Sequence, residues 1–160
     1  MADDNLKVSF TVNGRRVSAD ASTGTTLLNF LRYDLAMKGS KEGCRVGYCG
    51  ACTVLLDGKA VHSCCVLTVQ LNGKNVETIE SDETDVEAMR EAFLARNAPQ
   101  CGVCMPGMIM SSVAAVRSAP KAKKGWDRHV TTILTGNICR CGGYSRIRGA
   151  ALDVLSSKNP

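Results

Sequence analysis

The first 80 residues carry an alternation of apolar and polar positions that predicts β-strands. Residues 7–12 alternate, Asn13-Gly14 follows, and the alternation returns over residues 15–19. Asn-Gly between two alternating runs indicates a hairpin, because both residues readily adopt the positive φ angles of a tight turn. Residues 53–62 repeat the pattern around Asp57-Gly58, so the sequence predicts a second hairpin there.

A helix and a last strand complete the predicted N-terminal unit. After Thr25-Thr26, apolar side chains recur at helical spacing from Leu27 to Leu35, which predicts a helix with one apolar face. Residues 75–80 follow the turn signal Asn72-Gly73 and predict the last strand. A small mixed sheet with one helix packed against it resembles a β-grasp ferredoxin-like domain.

Beyond about residue 80 the apolar pattern changes to the period of helices. A capping box at Thr84 and Glu87 marks the start of one helix, and Pro106 marks the first residue of another. A short helix is predicted over residues 128–134, and Ser145 can cap a final helix.

This change of pattern divides the chain into two predicted domains, a β-rich one over residues 1–79 and an all-helical one over residues 80–160. The predicted fold class is therefore α+β. Apolar residues make up 44% of the 160 residues and charged residues 22%, close to the average of soluble globular proteins. No apolar run is long enough to cross a bilayer, and the acidic residues 1–5 lack a signal-peptide core. We expect a cytoplasmic chain without membrane insertion.

The basic charge of the chain does not indicate a nucleic-acid partner. The formal net charge is +5, and the isoelectric point is near 8.8. Only 4% of the residues are aromatic, so there is little material for stacking bases. Thiolates that hold anionic metal clusters would offset most of the positive charge. We therefore expect no nucleic-acid partner.

Nine cysteines are the unusual feature of the composition. Their number is odd and no export signal precedes them, which favours metal ligands or redox groups over disulfides. Four of them follow the plant-type [2Fe–2S] ligand order, C-x4-C-x2-C and a later fourth: Cys44, Cys49, Cys52 and Cys64. Three glycines permit a tight wrap that aims backbone N–H groups at the sulfurs: Gly43, Gly47 and Gly50.

A second group of four cysteines lies in the helical half: Cys101, Cys104, Cys139 and Cys141. In an extended segment residues i and i+2 face the same way, so Cys139 and Cys141 can both be ligands. Pro106 and Ser145 place helix N-termini beside the group, and the partial positive charge there suits an anionic cluster. Alone, this spacing fits a zinc site equally well; the neighbouring plant-type motif favours iron–sulfur.

Three segments resemble the small iron–sulfur subunit of the molybdenum hydroxylases, the xanthine oxidase-like family. They span residues 43–54, 100–108 and 136–144, and they occur in order at family-like spacing. The resemblance implies a β-grasp domain with one [2Fe–2S] cluster on Cys44, Cys49, Cys52 and Cys64. It also implies a four-helix domain with a second [2Fe–2S] cluster on Cys101, Cys104, Cys139 and Cys141.

The resemblance also implies partner subunits and a direction of electron flow. In relatives the helical-domain cluster lies beside a molybdopterin on a separate large subunit, and Gln100 and Cys139 match the positions that contact the pterin. The β-grasp cluster faces the next acceptor, commonly FAD on a medium subunit and haem in some relatives. The implied function is electron transfer between these groups in a hydroxylase or dehydrogenase complex.

Two other functions remain open from the sequence, a free-standing soluble ferredoxin and a zinc-stapled interaction module. A mobile carrier does not require a helical second domain, which argues against the first. The chain has no P-loop and no G-x-G-x-x-G motif, and its two histidines supply few acid–base groups. We therefore expect no active site on this chain.

Three further residues receive ordinary structural interpretations. Neighbours in an extended strand point opposite ways, so Cys64 is the expected ligand and Cys65 is expected to be a small buried hydrophobe. A Rieske centre needs two histidines on one iron, and His129 has no cysteine nearby. We therefore expect His62 and His129 to be surface histidines.

Overall fold

The computed structural model describes residues 5–158, and its N-terminal half is a five-stranded mixed sheet. In the order β2-β1-β5-β3-β4, only β1 and β5 are parallel. The strands are β1 Asn5–Val12, β2 Arg15–Ser22, β3 Thr53–Leu56, β4 Lys59–His62 and β5 Asn75–Glu77. Residues 1–4, on which part of the localisation prediction depends, lie outside the described residues.

Both predicted hairpins are present. In the first turn Asn13 has φ 48° and Gly14 has φ 75°, and in the second Asp57 has φ 48° and Gly58 has φ 79°. Positive φ at both central residues is what a type I′ turn requires, and this turn matches the twist of the flanking strands.

The predicted helix begins where the sequence places it but is not a regular α-helix. One α-helical turn, α1 Leu27–Asn29, continues directly as a π-helix over Phe30–Asp34. The Thr26 hydroxyl caps the start by accepting a hydrogen bond from the Asn29 N–H at 3.3 Å. Leu27 and Leu31 are fully buried against the sheet, so the predicted apolar face is confirmed.

Four helices form the C-terminal half: α2 Thr84–Ala95, α3 Met105–Arg117, α4 Trp126–Leu134 and α5 Tyr144–Lys158. The predicted capping box is wrong, because Glu83 is the N-cap of α2 and makes no side-chain cap hydrogen bond. Helix α5 starts at Tyr144, so Ser145 lies within its first turn. Every residue of α3 from Met105 to Val116 is buried, which makes it the central helix of this half.

The two halves pack directly against each other. Leu55 of β3 belongs to the core of the helical half, while Val8, Phe10 and Leu31 belong to the separate core under the sheet. Helix α3 also contacts β3 and β4. This packing brings the N-terminal end of α3 against the loop that carries the first cysteine motif.

Candidate metal centres

The first cysteine motif lies on a tightly wound loop between the π-helix and β3. Backbone φ is positive at Arg45 (60°), Gly47 (71°) and Gly50 (69°), so the chain reverses repeatedly within a few residues. A β-carbon on Gly43 would lie 2.7 Å from the Cys49 Sγ, which a side chain at that position could not accommodate. The predicted tight wrap is therefore present.

Backbone N–H groups of this loop donate to the sulfurs. The Tyr48 and Cys49 N–H groups donate to the Cys44 Sγ at 3.2 and 3.3 Å, and the Gly47 N–H donates to the Cys64 Sγ at 3.3 Å. Hydrogen bonds from the backbone of Val46, Cys49 and Tyr48 lower the pKa of Cys44 to about 6. The loop thus favours the thiolate form, which is the form that binds iron.

The other two cysteines of this first site lie deeper. Cys52 and Cys64 are buried together with Leu28. Burial, together with the hydrogen bonding and charge of the adjacent Cys52, raises the pKa of Cys64 to about 12. A buried thiol with a raised pKa next to a second buried cysteine is expected at a site where a bound cation compensates the charge of the sulfurs.

The second site is formed by the ends of two helices. Cys104 is the N-cap of α3, and Cys101 lies one loop turn before it. Cys139 and Cys141 lie on the segment that leads into α5. Side-chain hydrogen bonds join Cys101 to Cys141 and Cys104 to Cys139. Each cysteine before α3 therefore faces a cysteine before α5.

The electrostatics of the second site repeat those of the first. The Val103 backbone N–H lowers the pKa of the exposed Cys101, whereas burial, together with Cys139, raises the pKa of Cys104 to about 12. Burial also acts to raise the pKa of Cys139, but hydrogen bonds from the Gly143 backbone and other groups outweigh it and lower the pKa. The N-terminal end of α5 therefore stabilises negative charge on this sulfur, as predicted.

The pairing of the thiols fits a two-iron centre. In a [2Fe–2S] cluster each iron is held by two cysteines, so a site needs two pairs. In the first site Cys44 is paired with Cys49, and Cys52 with Cys64. The second site has two pairs as well, Cys101 with Cys141 and Cys104 with Cys139. Within residues 5–158 no three His, Cys, Asp or Glu side chains converge on a position for one metal ion.

One short segment connects the two sites. The Ile138 N–H donates to the Cys49 carbonyl at 2.9 Å. The Asn137 side chain is buried and donates to the Gly50 carbonyl at 2.9 Å, while it accepts from the Ser111 hydroxyl at 2.7 Å. The residue before Cys139 is thus bonded to a cysteine of the first site. Sequence analysis did not identify Asn137, because its partners are distant in the chain.

Comparison with known proteins decides the family. Residues 10–73 match a family described as a 2Fe-2S iron-sulfur cluster binding domain, and residues 75–152 match a [2Fe-2S] binding domain. The nicotine 6-hydroxylase small subunit of Paenarthrobacter nicotinovorans is 39% identical over 98% of this chain and 95% of that protein. The xanthine dehydrogenase iron-sulfur-binding subunit of Escherichia coli O157:H7 is 36% identical over 97% and 98%.

Solved structures agree. Quinoline 2-oxidoreductase from Pseudomonas putida 86 has a chain with a TM-score of 0.83 and 32% identity, over 96% of this chain and 95% of that one. This chain belongs to the iron–sulfur subunits of the molybdenum hydroxylases. The aldehyde oxidoreductase of Desulfovibrio gigas gives a TM-score of 0.87 and 30% identity over 96% of this chain but only 17% of that longer chain.

Membership of this family confirms several predictions. The α+β fold, the two [2Fe–2S] clusters and the role of a non-catalytic electron-transfer subunit in an oxidoreductase are confirmed. Membership also implies a molybdopterin-containing partner. It does not support the free-standing ferredoxin or the zinc module. No helix within residues 5–158 is long and apolar enough to span a membrane.

Three predictions about single residues need correction. Cys65 is exposed, not buried, because Ser63–Cys65 forms a 3₁₀-helix rather than an extended strand. Its Sγ lies 3.8 Å from the Cys64 Sγ. His62 is partly buried, and its Nδ1 lies 2.9 Å from the Gly47 carbonyl oxygen. His129 is also partly buried, and its Nε2 lies 3.0 Å from the Ala115 carbonyl oxygen.

Gln100 lies at the exposed edge of the second site. Its Nε2 donates to the Cys141 carbonyl at 3.4 Å, and its side chain is otherwise open to a partner. The Cys139 N–H donates to the Tyr144 hydroxyl at 2.7 Å, which orients the backbone at this cysteine. Of the two residues that the resemblance relates to pterin contacts, Gln100 is thus exposed beside Cys141, whereas Cys139 is buried two residues before it.

Proposed function

We propose that eight cysteines hold the two clusters of this subunit. The first-site ligands are Cys44, Cys49, Cys52 and Cys64, and the second-site ligands are Cys101, Cys104, Cys139 and Cys141. The facing thiol pairs and the N–H groups directed at Cys44 and Cys64 support this assignment. When bound, a [2Fe–2S] cluster takes up and releases one electron, and the chain supplies its ligands and hydrogen bonds.

The subunit serves as a relay in which electrons enter at the second site and leave from the first. The observation that carries this proposal is the hydrogen bond between the Ile138 N–H and the Cys49 carbonyl, 2.9 Å long. It joins the backbone of a first-site ligand to the residue next to Cys139. The two sites are therefore in direct contact within one chain, as a two-step relay requires.

The direction of electron flow assigns a partner subunit to each of the two sites. At the second site, Gln100 and Cys139 contact the molybdopterin of a large subunit. At the first site, the acceptor is FAD on a medium subunit. Val46 and Tyr48 stand on the first-site loop with 75% of their surface exposed each, which supports a covering partner there. The complex oxidises a small carbon substrate bound by the large subunit.

Two further parts of the proposal concern the domain boundary and the localisation. The boundary lies between residues 79 and 80. The complex acts in the cytoplasm. The end of β5 at Glu77 and the start of α2 at Thr84 support the boundary. The exposed free thiol of Cys65 supports a reducing compartment, because such a thiol is readily oxidised elsewhere. Cell fractionation with detection of the native subunit tests the localisation.

Metal analysis and EPR spectroscopy test the ligand sets. The full-length chain in its complex is expected to contain about four iron and four acid-labile sulfides, and to show two S = ½ signals after reduction. Cys49→Ser should abolish one signal and Cys104→Ser the other, while the matched control Cys65→Ser keeps both. Zinc in place of iron, or an iron-free complex with full turnover, contradicts the proposal.

Purification of the native complex tests the partners. We expect a large subunit with molybdenum and a medium subunit that releases FAD on denaturation. A complex whose third subunit contains haem and no flavin would contradict the proposed acceptor while leaving the relay intact. A free 17 kDa species as the sole native form would contradict the relay itself.

A further inference from the structure

His62 makes a hydrogen bond that the relay as described does not use. The residue ends β4, and its Nδ1 lies 2.9 Å from the Gly47 carbonyl oxygen of the first-site loop. A carbonyl oxygen can only accept, so Nδ1 must carry the hydrogen. The imidazole therefore donates into the loop that surrounds the sulfurs.

The carbonyl that His62 holds belongs to the same peptide unit as a donor to sulfur. The Gly47 carbonyl and the Tyr48 N–H share one rigid plane and point in opposite directions. At the edge of the plane opposite to the carbonyl, the Tyr48 N–H donates to the Cys44 Sγ at 3.2 Å. A continuous chain of hydrogen bonds thus runs from the imidazole through one peptide to the sulfur, and each bond in such a chain polarises the next.

Gly47 also makes a hydrogen bond to the buried cysteine Cys64. The Gly47 N–H donates to the Cys64 Sγ at 3.3 Å, and Gly47 holds φ at 71°. Glycine is the most mobile residue type, so its two peptide planes need an external contact to stay in one orientation. The hydrogen bond from His62 supplies that contact.

The imidazole is itself held in place. A β-carbon built on Gly136 would lie 3.8 Å from the His62 Nε2, so the ring lies against the segment that leads to Asn137 and Cys139. On the other side the ring faces Gly47. The side chain is partly buried between the two segments and has little room to rotate away.

We propose that His62 is a positioning residue that raises the reduction potential of the first-site cluster by fixing the Gly47–Tyr48 peptide. This inference depends on the proposed ligand set. Hydrogen bonds from N–H groups to the sulfurs stabilise the additional negative charge of the reduced cluster, and His62 strengthens and orients those bonds. The electron is thereby favoured on the site from which it leaves the subunit.

An EPR-monitored redox titration of the purified complex tests the inference. His62→Ala should shift the midpoint potential of the first-site cluster to a more negative value and leave that of the second-site cluster unchanged. His62→Asn places an amide donor close to the position of Nδ1 and should restore most of the wild-type midpoint. His129→Ala, which removes a comparable bond to the Ala115 carbonyl away from both sites, should change neither midpoint.

A second measurement separates positioning from loss of the cluster. Pulsed EPR in deuterated buffer detects the exchangeable amide protons near the reduced cluster, and His62→Ala should weaken the largest coupling. An unchanged first-site midpoint in an iron-loaded His62→Ala complex overturns the inference. Equal effects of Ala and Asn overturn it as well. A first site without iron in the wild-type complex overturns the ligand assignment instead.

Discussion

Gly50 shows at the scale of one residue why the first-site loop needs glycine. Its φ is 69°, and a β-carbon would lie 2.5 Å from both the Asn137 Nδ2 and the Gly136 carbonyl oxygen. Its own carbonyl accepts from the Thr53 hydroxyl at 2.7 Å and from Asn137. The sequence predicted a tight loop here, but it could not show that the second half of the chain fills the space.

Gly50→Ala is expected to destabilise the chain through two effects. The left-handed conformation costs an alanine about 1–2 kcal/mol. Displacement of the buried Asn137 side chain removes hydrogen bonds worth a further ~1–3 kcal/mol. Denaturant unfolding of the full-length chain measures the loss. The control Gly14→Ala has φ 75° and nothing within 4 Å, so it carries the conformational cost alone. Equal losses in the two variants would contradict the role of Asn137.

Cys65 illustrates a residue that sequence reasoning placed wrongly. The prediction assumed that β4 continues through the cysteines, so that neighbours alternate between faces. The chain instead turns into a 3₁₀-helix at Ser63, whose hydroxyl donates to the Cys52 carbonyl at 2.8 Å. Cys64 remains buried and Cys65 becomes exposed. A turn stabilised by a bond to a residue eleven positions earlier leaves no periodic signal in the sequence.

At the scale of elements, local signals predicted starts and turns well and ends poorly. The hairpin turns at Asn13-Gly14 and Asp57-Gly58 follow from the conformational preferences of the residues themselves. Strand β5 stops at Glu77, three residues before its predicted end. The Thr78 N–H donates to the Asn13 side chain at 2.8 Å rather than to a neighbouring strand. That partner lies 65 residues away, so no local pattern reveals it.

Arg117 joins three elements at the boundary between the two halves. From the last turn of α3 it donates to Glu77 of β5 at 2.7 Å and to Asp85 of α2 at 2.6 Å. Both carboxylates are buried, whereas the arginine side chain is 31% exposed. Lys158 approaches Asp85 at 3.7 Å from the end of α5. The guanidinium therefore neutralises two carboxylates that water reaches poorly.

Arg117→Met is expected to destabilise the chain near neutral pH. Two buried carboxylates would lose their main partner, at a cost of ~1–3 kcal/mol after allowance for the partial exposure of the arginine. Urea unfolding measures the change. The control Arg96→Met removes an ion pair with Asp153 in which both side chains are about half exposed, and it should cost much less. Comparable losses in the two variants would contradict the importance of the buried network.

Acid should reduce the difference between wild type and Arg117→Met. The guanidinium of Arg117 lowers the pKa of Asp85 below its ordinary value by hydrogen bonding. A lowered pKa in the folded state stabilises the fold above the unfolded pKa, and this stabilisation is lost as the pH falls from about 4 through the lower folded value. Urea titrations at pH 7 and at pH 3 should show the larger difference at pH 7. A difference that grows on acidification would contradict this assignment.

At the scale of the whole molecule, the sequence predicted the two domains but not the contact between them. The cysteine motifs and the change of period are local patterns, and they identify each half separately. The bond from Asn137 to Gly50 spans 87 positions, and its members are an ordinary asparagine and a loop glycine. The contact that turns two cluster domains into one relay is therefore visible only in the folded chain.

The exposed apolar residues around the first site lead to a prediction about assembly. Val46 and Tyr48 are each 75% exposed on a loop whose backbone faces the sulfurs. The proposed exit from the first site requires electron transfer across a short distance, so under that proposal the acceptor subunit covers this loop closely. A charge at its centre would have to be buried without a partner on assembly, which costs several kcal/mol.

Tyr48→Glu is therefore expected to release the acceptor subunit while the molybdenum subunit stays bound at the second site. The backbone N–H of residue 48 remains, so both clusters should keep their EPR signals. Substrate should still reduce them, and turnover with the natural acceptor should fall at least about tenfold, which corresponds to ~1.4 kcal/mol. Leu94→Glu on α2, at 67% exposure, is the matched control and should leave assembly intact. If Tyr48→Glu co-purifies with the acceptor subunit as fully as Leu94→Glu does, the acceptor docks elsewhere and the proposed exit from the first site is wrong.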